Sequence, residues 1–212
     1  MRKKRGWILA PIASVLIVVI IVFWRPVLFV GGGGFITLGH ALQEQVHGFK
    51  RVSGDETPQE VLESVLAENE KASWVRAYIP QADQKPQVLL ILCIDPRLDG
   101  NVVVGDSRDY YDIMRLPGSI LSEEAIESVE LSVLKHNVKV VLFTTHTDCA
   151  MEAVAKSEYA AEFPALSRGV NEREAMFEKL LNRPVIAERI ANGTLLVERL
   201  KVDTETQSLI PQ

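Results

Sequence analysis

Val88-Leu89-Leu90-Ile91-Leu92-Cys93 is an unbroken apolar run that ends in a cysteine and is followed at once by Ile94-Asp95-Pro96-Arg97. Six apolar residues without a polar break suit a strand buried on both faces, as in a parallel sheet. Downstream, Tyr110–Arg115 reads as a second strand. Ser122-Glu123-Glu124 caps a helix that runs to Lys135, with Ala125, Ile126, Val129 and Val133 facing inward. Val138–Thr145 is a third strand, again nearly all apolar. Strand, connection, strand, helix, strand predicts an α/β domain: a mainly parallel sheet flanked by helices and joined by right-handed crossovers. Asn171–Leu181 and Pro184–Ala191 read as further helices, with Asn192-Gly193 as a stop. Thr194–Val202 reads as a late strand that can pair with Ser208–Ile210.

Upstream, Thr57-Pro58-Gln59-Glu60 places an N-cap, a proline in the first turn and an acid behind it. The helix they open is expected to reach Trp74, with Val61, Leu62, Val65, Leu66 and Trp74 as its apolar face, and Pro80 to Pro86 as a loop. Before it lies a different kind of sequence. Residues 1–30 carry Arg2, Lys3, Lys4, Arg5 and Arg25 and no acid, and Gly6 to Trp24 holds no charge at all. The 18 residues Trp7–Trp24 span roughly 27 Å as a helix, near the thickness of a bilayer core. Tryptophan at both ends suits the headgroup level. The rival, a cleaved signal peptide, lacks a clear small-residue cleavage site here. The sequence therefore predicts a basic tail and transmembrane anchor over residues 1–30, a linker led by Gly31–Gly34 over 31–56, and a folded domain over 57–212. Four basic residues before the span and one just after it predict a cytoplasmic N-terminus, a single pass and an extracytoplasmic domain.

The chain has 212 residues, enough for one core plus such an addition, and its 47% hydrophobic content excludes a disordered chain. After residue 30 there remain 18 Lys/Arg against 28 Asp/Glu. A surface that acidic, without a basic stripe, excludes nucleic acid as the expected partner.

The chemistry gathers just after two of the buried strands. One cluster is Cys93-Ile94-Asp95-Pro96-Arg97, the other His146-Thr147-Asp148-Cys149. Sites in open α/β sheets form at the carboxyl ends of strands. In an extended segment Cys93 and Asp95 project to the same side, and His146 and Cys149 can converge where a strand turns into a helix. Two thiolates and an imidazole are a zinc set that leaves a fourth tetrahedral position open, the mark of a catalytic ion. With only two cysteines in the chain, a Cys93–Cys149 disulfide or two inert buried thiols are the alternatives.

Cys93-x-Asp95-x-Arg97 followed by His146-x-x-Cys149 resembles the signature of the β-carbonic anhydrases, in particular their compact bacterial branch. Arg97-Leu98-Asp99, Gly105, Arg115-x-x-Gly118, Glu123-x-Ala125-Ile126-x-Ser128 and His146-Thr147-Asp148-Cys149-Ala150-Met151 continue the likeness. It is specific over Val88–Met151 and does not include the apolar N-terminus. The resemblance implies a zinc ion held by Cys93, His146 and Cys149. Asp95 would be either the fourth ligand in a closed form or paired with Arg97 in an open one. In the open form it would orient a zinc-bound hydroxide toward carbon dioxide, giving bicarbonate. The resemblance further implies a homodimer or higher assembly. Where that family has Arg-Asn-Ala-Gly, this chain has Arg115-Leu116-Pro117-Gly118, which predicts a more apolar pocket. The competing readings are hydrolysis of carbonyl sulfide or carbon disulfide on the same zinc, and a non-catalytic, membrane-tethered zinc module. His136, at a helix end, is read as structural.

Overall fold

In the computed structural model the described residues are Trp24, Val27, Leu28, 30–36, 38, 39, 42, 57–76, 85–100 and 111–212. They fall into two compact units divided after Gln81.

In the first unit, the described residues between 24 and 42 are helical, Gly31–Gly34 included. The sequence predicts an irregular linker there, because each glycine costs about 1 kcal/mol in a helix. Trp24, Val27, Leu28 and Val30 are helical as well, so the glycines prolong a helix, which is easier than starting one. The expected tail and anchor over residues 1–30 lie, apart from Trp24, Val27, Leu28 and Val30, outside the described residues. No described helix is long and apolar enough to cross a membrane.

Helix α1 (Pro58–Arg76) begins as expected. The Thr57 N–H donates to the Glu60 carboxylate at 2.7 Å and the Glu60 N–H returns to Thr57 Oγ1 at 3.3 Å, closing a capping box. The expected apolar face does not become a core face: Val61, Leu62, Val65, Leu66 and Trp74 are all exposed. At about 100° per residue the first four share a stripe only two turns long, and Trp74 falls on the far side of the helix.

The second unit is the α/β domain. Its elements are β1 (Val88–Cys93), β2 (Tyr111–Leu116), a 3₁₀ turn (Pro117–Ser119), α2 (Glu123–Lys135), β3 (Val140–His146) and α3 (Ala150–Ala155). After a second 3₁₀ turn (Glu158–Ala161) come α4 (Pro164–Leu181), α5 (Pro184–Ala191), β4 (Leu196–Val202) and β5 (Leu209–Pro211). The strands form one sheet in the order β2-β1-β3-β4-β5, parallel throughout except for β5.

All six residues of β1 are buried, and alternation sends them to opposite faces. Leu89 and Ile91 join Val141 and Phe143 of β3 in the larger core, closed by Ile126, Val129 and Val133 of α2, Phe177 and Leu180 of α4, and Ile186 of α5. Leu90 and Leu92 enter a smaller core on the other side with Leu98 and Val202. Full burial of each such side chain contributes about 1.5–3 kcal/mol, which fixes β1 as the central rail of the site. Helix α2 has its predicted limits, its Ser122 cap and its four buried residues.

Several boundaries differ from the sequence reading: β3 starts at Val140 rather than Val138, β4 at Leu196 rather than Thr194, and β5 is shifted by one residue. Strand β2 is displaced by one residue. Strand β3 carries on through His146, because Thr144, Thr145 and His146 keep pairing with Leu200, Lys201 and Val202 of β4. Helix α4 starts at Pro164 rather than Asn171; proline at the first helical position suits the orphan N–H there.

Candidate metal centre

Strands β1 and β3 are parallel neighbours, so their last residues, Cys93 and His146, leave the sheet at the same edge. Asp148 follows in the left-handed region (φ 52), a conformation short polar residues tolerate. That turn brings Cys149 back as the residue before α3. Cys93, His146 and Cys149 are all buried, and their ligand atoms lie within 4.8 Å of one another. Both cysteines are free thiols, not a disulfide.

The imidazole is oriented for a metal. His146 Nδ1 donates to the Thr147 carbonyl at 2.8 Å, which leaves Nε2 as the bare nitrogen. That Nε2 is buried and has no hydrogen-bond partner. A buried unpaired acceptor costs about 1–3 kcal/mol, and an ion with bonds of about 2.0–2.3 Å, shared with two sulfurs, satisfies it. The three residues therefore fit zinc.

The sulfurs are already biased. A hydrogen bond from Cys149 draws the Cys93 thiol below its usual range, helped by the N–H groups of Asp95 and Gly118; the same bond pushes Cys149 up. A cation between them would favour both as thiolates.

Asp95, expected as an alternative fourth ligand, is not brought into the group. Both of its oxygens are taken by Arg97: Nε donates to Oδ1 at 3.0 Å and Nη2 to Oδ2 at 2.8 Å. The Arg97 guanidinium holds the Asp95 carboxyl far below the usual carboxylate range. Arg97 also reaches the Asp148 carbonyl at 3.1 Å, and Arg115 donates to the Asp95 carbonyl at 2.7 Å. The pair is thus bridged to the second ligand loop.

Gly118 has φ 59, and a Cβ there would stand 3.1 Å from Met151 Cβ, so only glycine brings its N–H to Cys93 without strain. Leu116, expected to make the pocket more apolar, instead packs its side chain against the larger core, while its carbonyl accepts from Ile94 N–H at 3.2 Å. His136 is tied to Asp112, Nδ1 to Oδ2, at 2.7 Å, in keeping with a structural part. Gly105 of the motif lies outside the described residues.

Several residues that brace the site have no motif. Thr204 N–H donates to Thr147 Oγ1 at 3.0 Å. Gln207 Nε2 donates to the Arg97 carbonyl at 3.0 Å. Arg173 bonds Glu152 and the Gly118 carbonyl. Only the turn holding Thr204 is legible locally, since Asp203 Oδ1 accepts from the N–H groups of Glu205 and Thr206.

Against known structures, the chain matches a carbonic anhydrase from Streptococcus mutans with a TM-score of 0.54 and 18% identity, over 69% of this chain and 94% of that one. A structure of tetrameric β-carbonic anhydrases from Sordaria macrospora matches with a TM-score of 0.54 and 21% identity, over 72% and 96%. The fold is that of the β-carbonic anhydrases. In sequence, a Helicobacter pylori carbonic anhydrase is 24% identical over 60% of this chain and 63% of its own length. A carbon disulfide hydrolase from Acidianus is 30% identical over 43% and 44%. The chain therefore spans less than two thirds of the length of these relatives. No family profile matches it. The likeness to the solved structures is one of fold, and the sequence relatives match over part of the chain.

Proposed function

We propose that this chain is a zinc-dependent enzyme of the β-carbonic anhydrase type that interconverts carbon dioxide and bicarbonate. The observation that carries this is the Cys93–His146–Cys149 group with an unsatisfied His146 Nε2, set beside a carboxylate that Arg97 keeps ionised and away from the ligands. Bound there, zinc supplies a water acidic enough to be deprotonated near neutral pH. The protein does the rest. Cys93 and Cys149 would hold the ion as thiolates, with His146 Nε2 as the third ligand. The Thr147 carbonyl keeps the imidazole in one tautomer. Asp95, acceptor-only while ionised, would accept a hydrogen bond from the nucleophile's O–H and turn its lone pair toward the gas. The bidentate Arg97 fork resists its swing onto the ligands.

The competing activity is hydrolysis of carbon disulfide, favoured by the relatives that carry that name. Metal analysis of the purified chain, with turnover of carbon dioxide and carbon disulfide measured in parallel, decides between them. About one zinc per chain with carbon dioxide hydration is expected; zinc with carbon disulfide turnover alone replaces the reading, and no zinc ends it.

The placement of the enzyme is proposed on the sequence. The uncharged stretch to Trp24, preceded by Arg2–Arg5, supports an anchor in lipid, with the catalytic domain outside the cytoplasm. Protease added to intact cells is expected to digest the domain while a cytoplasmic control survives. The tetrameric neighbours support a homodimer or higher assembly.

A further inference from the structure

The two cysteines stand beside separate elements. Gly118, in the 3₁₀ turn after β2, lies two residues beyond Leu116, the sheet partner of Cys93, and Glu152 lies in the first turn of α3, whose N-cap is Cys149. One side chain from a third element spans both. Arg173, on α4, donates from Nη1 to the Gly118 carbonyl at 2.8 Å and from Nη2 to the Glu152 carboxylate at 2.5 Å. Its side chain is only 17% exposed and that of Glu152 27%, so the pair is shielded and little screened. The turn it grips needs gripping. Gly118 and Ser119 both have positive φ, 59 and 52, and Ser119 is a buried non-glycine whose hydroxyl finds no partner. Such a residue costs about 1–3 kcal/mol and persists only where its surroundings hold it.

We propose that Arg173 is a positioning residue for the metal centre: by joining the Gly118 peptide to Glu152 it sets how far apart Cys93 and Cys149 are held. The proposal rests on the zinc reading. The same cleft, about 290 Å³ in volume and bordered by Thr145, His146, Glu152 and Arg173, also contains Arg199. Arg199 pairs instead with Glu174 at 2.6 Å and stacks over Phe177 at 4.9 Å. It is an arginine in the same cleft with a different duty, and hence an internal control.

The experiment uses the full chain and two metals. Zinc affinity is read by competition with a chromophoric chelator, and ligand geometry by the thiolate-to-cobalt charge-transfer band after Co²⁺ loading. Arg173→Ala is expected to lower zinc affinity about 10–100-fold, the usual range for a group that orients ligands without touching the ion, and to shift the cobalt band. Arg199→Ala is expected to leave both unchanged. Should Arg173→Ala fail to fold, Arg173→Lys and Glu152→Gln take its place; neither bridges the two peptides, and both are expected to shift the band. Wild-type affinity and spectrum in the Arg173 and Glu152 variants overturn the proposal. So does an equal loss in Arg199→Ala, which would show general loosening of the cleft. A wild-type chain that takes up no metal overturns the zinc reading, and this inference with it.

Discussion

The ends of β1 and β3 deliver ligands to one point by different means. After β1, the side-chain pairing is local, although Arg115, Asp148 and Gln207 also hold the loop: Asp95 and Arg97, two residues apart, bind each other twice through side chains, and Arg97 N–H adds a third bond to Asp95 Oδ1 at 3.0 Å. After β3, little is local. His146 is aligned by its own neighbour, but the loop is braced by Thr204 beyond β4, by Arg173 on α4 and by the β3–β4 pairing. A local device works wherever its few residues are placed; a braced one works only when the whole sheet edge is assembled. The first should govern turnover and the second metal retention.

The largest expected effect tests where the two ends meet. Cys149→Ser removes a thiolate and leaves Cys93 and His146 as a two-ligand remnant, so zinc content should fall to a small fraction of wild type. Metal analysis after dialysis reads this directly, and full retention in both Cys149→Ser and Cys93→Ser would dissolve the comparison. Next in size, Arg97→Ala should keep the zinc yet lower turnover at pH 7 by on the order of 100-fold, since a misplaced orienting group costs about that much. Stopped-flow hydration with metal content measured on the same sample separates the two. Wild-type turnover would show that the β1 end does not govern rate.

A pH dependence follows from the same pair. The native carboxyl of Asp95 is depressed below its unfolded value. Its stabilisation is therefore complete above about pH 4, the ordinary unfolded range, and is lost as pH falls toward the native value. Asp95→Asn should thus be less stable than wild type in urea at pH 6, with the gap beginning to narrow only as pH falls below about 4. The smallest effect belongs to the brace: Thr204→Val, which removes the hydroxyl bonded to Thr147 Oγ1 at 2.8 Å, should cost about 0.5–1.5 kcal/mol, one hydrogen bond's worth, with turnover per bound zinc unchanged.

The same division marks what could be read from the sequence. The limits of β1 and α2, the α2 cap and its buried stripe were legible because each is fixed by neighbours one to four residues away. So was the ligand trio, since strand ends and ligand spacing are local signals. His146 reads as the residue after β3, yet it is the last paired residue within it, because pairing with Val202 is set by another strand. The stripe on α1 shows the opposite error: capping starts a helix, but only a partner surface decides whether its apolar side is covered. Arg173, Thr204 and Gln207 carry no signature because each acts on a segment far away in the chain.

The parallel pairing of β1 with β3 also bears on the order of events as the chain folds. Cys93 lies on one of these strands and His146 and Cys149 on or just after the other, with β2 and α2 between them in sequence. No two-strand fragment made early in synthesis can present all three ligands, and the loop between them must close first. Metal capture would thereby be a late step: the ion would arrive at an edge already built, and its scarcity would slow maturation without slowing the collapse of the core.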